Sequence, residues 1–168
     1  MKQLVCRTIA LAISLAIAAP AFAQPGSNAR QLEQAIDQSH RALEAILNGD
    51  PSLYLALFAD RDDITLGNPF GPFGQGRAQV AATLANAANK YQRGTARVEG
   101  VAVYGDGNFV CLVEIEHDRT QLAGSDEFSE FSVRVTSLYE RISGQWKLAH
   151  RHADPITTAR SAQSVLGK

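Results

Sequence analysis

Hydrophobic and polar positions follow two different periods along this chain. From about Gln31 to Leu47, apolar residues recur at Leu32, Ala35, Ile36, Leu43, Ile46 and Leu47. This is close to the 3.6-residue repeat of a helix with one buried face. Gly49 marks its end. Asp50-Pro51 then supplies a capping residue and a first-turn proline for a short second helix, with Leu53, Leu57 and Phe58 on its apolar side. Ile64-Thr65-Leu66 reads as a short strand, followed by a turn-rich loop from Asn68 to Gly76 that carries Phe70 and Phe73. A third helix is predicted from about Arg77 to Tyr91, with Val80, Leu84, Ala87 and Ala88 on one stripe. Beyond Thr95 the pattern is that of strands: Ala96 to Tyr104, Asn108 to Asp118, Glu127 to Arg141 and Gln145 to Asp154. Residues 24–30 read as a flexible polar lead and 156–168 as a frayed tail. Helices set apart from a run of antiparallel strands predict one α+β domain over residues 31–155.

The N-terminus reads as an address. Lys2 and Arg7 precede an apolar stretch from Thr8 to Ala19, and Pro20-Ala21-Phe22-Ala23 offers a small-x-small cleavage pattern. The expectation is a signal peptide over residues 1–23, with the mature protein exported to the periplasm or the extracellular space. The stretch falls short of the ~20 apolar residues of a membrane span, so no membrane association is expected after cleavage. Removing 23 of the 168 residues, Lys2 and Arg7 among them, leaves 145 with a formal charge of -3. That charge argues against a nucleic-acid partner. Cys111 is then the sole cysteine, in an apolar strand, and reads as an inert buried thiol.

The chain resembles the nuclear transport factor 2-like superfamily, and within it the SnoaL-like, ketosteroid-isomerase-like branch. The resemblance rests on the order helix–helix–strand–helix followed by a strand meander. It rests also on Asp63-Ile64-Thr65-Leu66-Gly67-Asn68-Pro69-Phe70-Gly71-Pro72, on Ser132-Val133-Arg134-Val135-Thr136, and on the ending Gly144-Gln145-Trp146-Lys147-Leu148-Ala149-His150-Arg151-His152-Ala153-Asp154. It implies a cone: a strongly curved antiparallel sheet packed on three N-terminal helices around a cavity for a small, largely apolar ligand. Members of this fold include isomerases, cyclases, dehydratases, epoxide hydrolases and binding domains, so fold alone does not decide among them. The isomerase mechanism uses an Asp base with Tyr and protonated-acid donors. Tyr54 is a candidate donor, but Asp118 and Asp154 are read at strand ends, which leaves the position of the base empty.

The face of the last hairpin decides which residues meet the cavity. A two-residue Ser143-Gly144 turn would set Val135 opposite His152. A three-residue loop, Ile142-Ser143-Gly144, would set Arg134 opposite His152, Thr136 opposite His150 and Leu138 opposite Leu148. Gly144 after a type I turn favours the second register. It places Arg134, Thr136, His150, His152 and Asp154 on the inner wall, with Leu138, Leu148 and Trp146 as the apolar floor. Glu116, which shares a face with Leu112 and Glu114, is the expected carboxylate partner of Arg134. Tyr54 and Asn68 complete the candidate ligand-binding set. The opposite face, with Phe131, Val133, Val135 and Tyr139, is then apolar and exposed, which predicts a homodimer.

The leading expectation is therefore a small-molecule pocket for an apolar ligand with a carbonyl or carboxylate end. An alternative is a cofactor-free isomerase, cyclase or hydrolase with His150 or His152 as general base and Arg134 as oxyanion stabiliser. Another is a dimeric scaffold acting through its surface. No cofactor is expected, and no metal: His150-x-His152 has permissible ligand spacing, but Arg134 and Arg151 oppose a cation. The chain carries no Gly-x-Ser-x-Gly elbow and no phosphate-binding loop. The Gly71–Gly76 segment suits a cavity lid better.

Overall fold

The computed structural model describes residues 26–71 and 73–166. The expected signal peptide lies outside them. Among the described residues, no helix is long and apolar enough to cross a membrane.

Helix α1 runs over Ser27–Leu47 and buries Ala35, Ser39, Ala42, Leu43, Ile46 and Leu47. It starts four residues before the predicted Gln31, so much of the expected lead is helical. Gly49, at φ 88°, ends the helical path as a left-handed residue that glycine adopts at little steric cost. Helix α2 spans Ser52–Leu57 and buries Tyr54 and Leu57. Strand β1 covers Thr65–Gly67. The turn-rich loop that follows contains a two-residue strand β2, Gly74–Gln75, which pairs back onto β1. Helix α3 spans Gly76–Ala88. The remaining strands are β3 (Tyr91–Asp106), β4 (Phe109–Leu122), β5 (Phe128–Ile142) and β6 (Gln145–Asp154), with a single-turn helix α4 at Ala162–Val165.

All six strands form one sheet in the order β2-β1-β6-β5-β4-β3, antiparallel except for the parallel β1–β6 pair. Strands of 14 to 16 residues at β3, β4 and β5, with a bulge near Gly100 in β3 and another at Ala149 in β6, favour a strongly twisted and coiled sheet. The helices close the concave side. Leu43, Ile46 and Leu47 of α1, Tyr54 and Phe58, Val80 and Leu84 of α3, and Leu112, Tyr139 and Leu148 of the sheet form one core. Gly94 permits a close approach of α1 to β3: a Cβ there would lie 2.9 Å from the Cβ of Leu47 and 3.0 Å from the Arg119 carbonyl oxygen.

The last hairpin corrects the predicted register. Ser143 and Gly144 both adopt positive φ, 50° and 83°, and make the two-residue turn that pairs Ile142 with Gln145. Tyr139 then pairs with Leu148, but the next pair is Leu138 with His150. Ala149 is an extra residue on β6, a bulge that reverses the in–out alternation. Trp146 and Leu148 face the core before it, and Arg151 and Ala153 after it. His150, His152, Arg134, Thr136 and Asp154 therefore share the outer face, with Leu138. Thr136 pairs with His152 and Arg134 with Asp154. Phe131, Val133, Val135 and Tyr139, expected outside, face inward; Val133, Val135 and Tyr139 are at most 2% exposed.

Candidate functional site

The inner face of β4 reads Val110, Leu112, Glu114, Glu116, Asp118, Thr120, all buried. Strict alternation lines three carboxylates along one wall of the cone. Burying a carboxylate without a partner is costly, and the three meet this cost differently. Glu114 is paired with His40 of α1, Oε1 to Nε2 at 2.9 Å. This contact raises the His40 pKa over the opposing effect of burial. Glu116 accepts a hydrogen bond from Arg151 Nη2 at 2.6 Å, both side chains being under 10% exposed. The Arg151 guanidinium also lies 5.5 Å from the centre of the Tyr54 ring. Burial opposes its charge, but Glu116 more than offsets this and raises its pKa.

Asp118 has no such partner. It is 4% exposed, and its Oδ1 is buried without a hydrogen bond among the described residues. Burial, reinforced by the Glu116 carboxylate and opposed by Arg151, pushes its pKa up to about 7. A carboxyl poised there can hold or release a proton near neutrality.

Glu116, Asp118, Arg151 and Tyr54 open onto a cavity of about 60 Å³. Its apolar walls come from Leu43, Ile46 and Leu47 of α1, Leu84 of α3, and Leu66, Val133 and Ala153 of the sheet. Its polar lining is Glu116, Asp118, Arg151, Tyr54, Tyr91 and Asn68. Burial holds both tyrosine hydroxyls protonated, with pKa values raised well above the ordinary 10.0. At one end Phe131, directly opposite Asp118 across β4 and β5, stacks on Tyr91 and meets Phe70 edge-on at 5.8 Å.

Of the residues singled out in the sequence, Glu116, Tyr54 and Asn68 line this cavity. Asn68 Oδ1 accepts the backbone N–H of Phe70 and shapes the loop at the mouth. The other five are on the outside of the sheet. Arg134 is bound to Asp154 by both carboxylate oxygens rather than to Glu116. This pairing, with the Ile156 N–H, lowers the Asp154 pKa despite its partial burial. His150 contacts the Thr65 hydroxyl at 2.8 Å, and its pKa is lowered by burial and by His152. His152 and Thr136 are exposed. The partner of Glu116 is Arg151, which a bulge-free reading of β6 turns away from the cavity. Asp118 was legible in principle, because Leu112, Glu114, Glu116 and Asp118 keep one alternation. The polar run Arg119 to Asp126 has the composition of a loop and puts Asp118 at a strand end, whereas β4 continues to Leu122. Among the described residues, no group of three or more His, Cys, Asp or Glu is arranged to hold a metal ion.

The fold is shared with solved structures. A nuclear transport factor 2-like superfamily protein from Salmonella enterica serovar Typhimurium superposes with a TM-score of 0.70 at 15% identity, covering 82% of this chain and 96% of the other. A ketosteroid isomerase-like protein from Erwinia carotovora atroseptica gives 0.64 at 15% identity, over 79% and 98%. A nuclear transport factor 2-like protein from Pseudomonas putida gives 0.57 at 17% identity, over 80% and 89%. No match was found among curated protein sequences. The SnoaL-like domain model matches residues 32–157, nearly the whole length over which helices and sheet enclose the Asp118 cavity, and the chain belongs to the SnoaL-like family.

Proposed function

We propose that this protein is an exported small-molecule domain. Its pocket takes a largely apolar molecule bearing one neutral polar group, a carbonyl or hydroxyl, with which Asp118 exchanges a proton. The observation that carries this reading is the buried, unpartnered Oδ1 of Asp118 on the wall of a mostly apolar cavity whose other charged groups, Glu116 and Arg151, are paired with each other. Glu116 and Arg151 neutralise each other, so the cavity charge is zero with Asp118 protonated and negative with it ionised. Such a site disfavours a carboxylate ligand and favours a carbonyl that accepts a hydrogen bond from the Asp118 carboxyl. The protonated tyrosines, Tyr54 and Tyr91, line the same cavity and supply further donors. Protonated, Asp118 is a general acid toward a carbonyl; ionised, it is a base toward an adjacent C–H.

A binding screen of neutral ketones, alcohols and lactones, with turnover followed by mass spectrometry, tests this. Carbonyl ligands should bind more weakly above about pH 7, as Asp118 ionises. Asp118→Asn should abolish that pH dependence together with any turnover. Ligands that bind wild type and variant identically from pH 5 to 9 would sink the reading.

The protein also acts, on this proposal, as a homodimer through the outer face of the sheet. Tyr104, Cys111 and Leu138 form one cross-strand row there, beside Ala102 and Val113, and Tyr104 is 61% exposed. Apolar sheet faces of this kind are normally covered. Sedimentation at micromolar concentration should give twice the monomer mass, and Val113→Glu should reduce it to one.

A further inference from the structure

The 60 Å³ cavity next to Asp118 has room for only a few non-hydrogen atoms, since one water needs ~10–15 Å³ of such space. A second chamber of about 220 Å³ adjoins it and is lined by Thr120, Leu122, Ser129, Glu130 and Pro155. The two chambers share Pro69, Phe70, Tyr91, Phe131 and Val133. Three of these five shared residues, Phe70, Tyr91 and Phe131, form an aromatic cluster at the boundary between the chambers. Phe131 is its centre: it packs on Tyr91 and Phe70 and pairs across the sheet with Asp118. Phe70 belongs to the loop after β1 and is 52% exposed. A side chain standing between two cavities can swing by rotamer change without moving the sheet.

We propose that the two chambers are one elongated binding site partitioned by Phe131, and that the ligand is a linear neutral carbonyl compound. Its polar end lies beside Asp118 and its alkyl tail passes Phe131 into the outer chamber. This inference rests on the Asp118 reading above and extends it to a substrate class. Phe131 is a specificity-determining residue: it shields Asp118 from the outer chamber when no tail is present and admits an unbranched chain. Ser129 lies on the inner face of β5, paired with Thr120, at the floor of the outer chamber.

The test uses a homologous series from 2-butanone to 2-decanone, with affinities from isothermal titration calorimetry at pH 6. If the tail is buried, affinity rises about fourfold per methylene, and the rise continues past the five or so heavy atoms that the inner chamber holds. Ser129→Trp fills the outer chamber from an exposed position that leaves the fold intact. It should flatten the series beyond 2-pentanone. Phe131→Ala should admit a broad ketone such as 2-adamantanone that wild type excludes, and circular dichroism checks that this variant folds. A wild-type series that is flat beyond 2-pentanone overturns the elongated site. If 2-butanone binding still weakens above pH 7, the Asp118 reading survives that failure. A length dependence unchanged in Ser129→Trp also overturns the proposal, because the tail then lies elsewhere. Absence of binding by every member overturns it together with the reading it rests on.

Discussion

Replacing Asp118 with Asn should change how the stability of this protein depends on pH. The Asp118 pKa rises from its ordinary 3.8 to about 7 in the folded state. In the unfolded chain the carboxyl ionises near 4; in the folded chain it holds its proton until about 7. Between these values folding takes up a proton, so stability falls as pH rises. The loss is absent below the unfolded pKa and complete above the folded one. Three pH units at about 1.4 kcal/mol each give a loss of about 4 kcal/mol. Asn is close in size and uncharged throughout, so the variant lacks this loss. Urea denaturation of both proteins at intervals from pH 4 to 8 isolates the effect, because the other titrating groups are common to both. The stability of Asp118→Asn relative to wild type should increase by about 4 kcal/mol across this range. A difference that stays constant with pH would show that Asp118 ionises normally in the fold, and the chemistry assigned to it would fall.

Removing Arg151 by Arg151→Met leaves Glu116 as an unpaired buried carboxylate. This should cost about 3–5 kcal/mol, with most of it recovered in the double variant Glu116→Leu/Arg151→Met, as read by urea denaturation. Because the His40 pKa is raised, the His40–Glu114 contact contributes stability that is fully present below the unfolded value of 6.5 and is lost as pH rises through the folded value. His40→Ala should accordingly destabilise more at pH 5.5 than at pH 8.5 in thermal melts. Gly94→Ala forces a Cβ into Leu47, the Arg119 carbonyl and Thr120, and should cost about 1–3 kcal/mol by overpacking. Arg134→Ala, at an ion pair on the outer face, should change stability by less than about 1 kcal/mol and leave ketone binding unaltered in calorimetry.

The elements and the fold class were legible in the sequence because each depends on local periodicity. Leu32 to Leu47 could bury one stripe only as a helix, and the alternation from Thr95 onward could bury one face only as strands. The position of Glu116 on the inner wall followed from the same logic, since β4 runs from Val110 to Thr120 without a bulge. The inner wall of β6 was not legible, because one unpaired residue decided it. With Ala149 bulged, Leu148 and Arg151 both face inward, and His150 and His152 turn out; a uniform alternation assigns the reverse to Arg151 and the histidines. Nothing in Lys147-Leu148-Ala149-His150 marks a bulge, which bends the strand and increases its local twist. The state of Asp118 was equally a tertiary matter. Its identity and parity are in the sequence, but its missing partner depends on where Arg151 points, where α1 lies and how Phe131 closes the cavity. Those are contacts between residues far apart in the chain, and they, not the carboxyl itself, set the proton affinity on which its function depends.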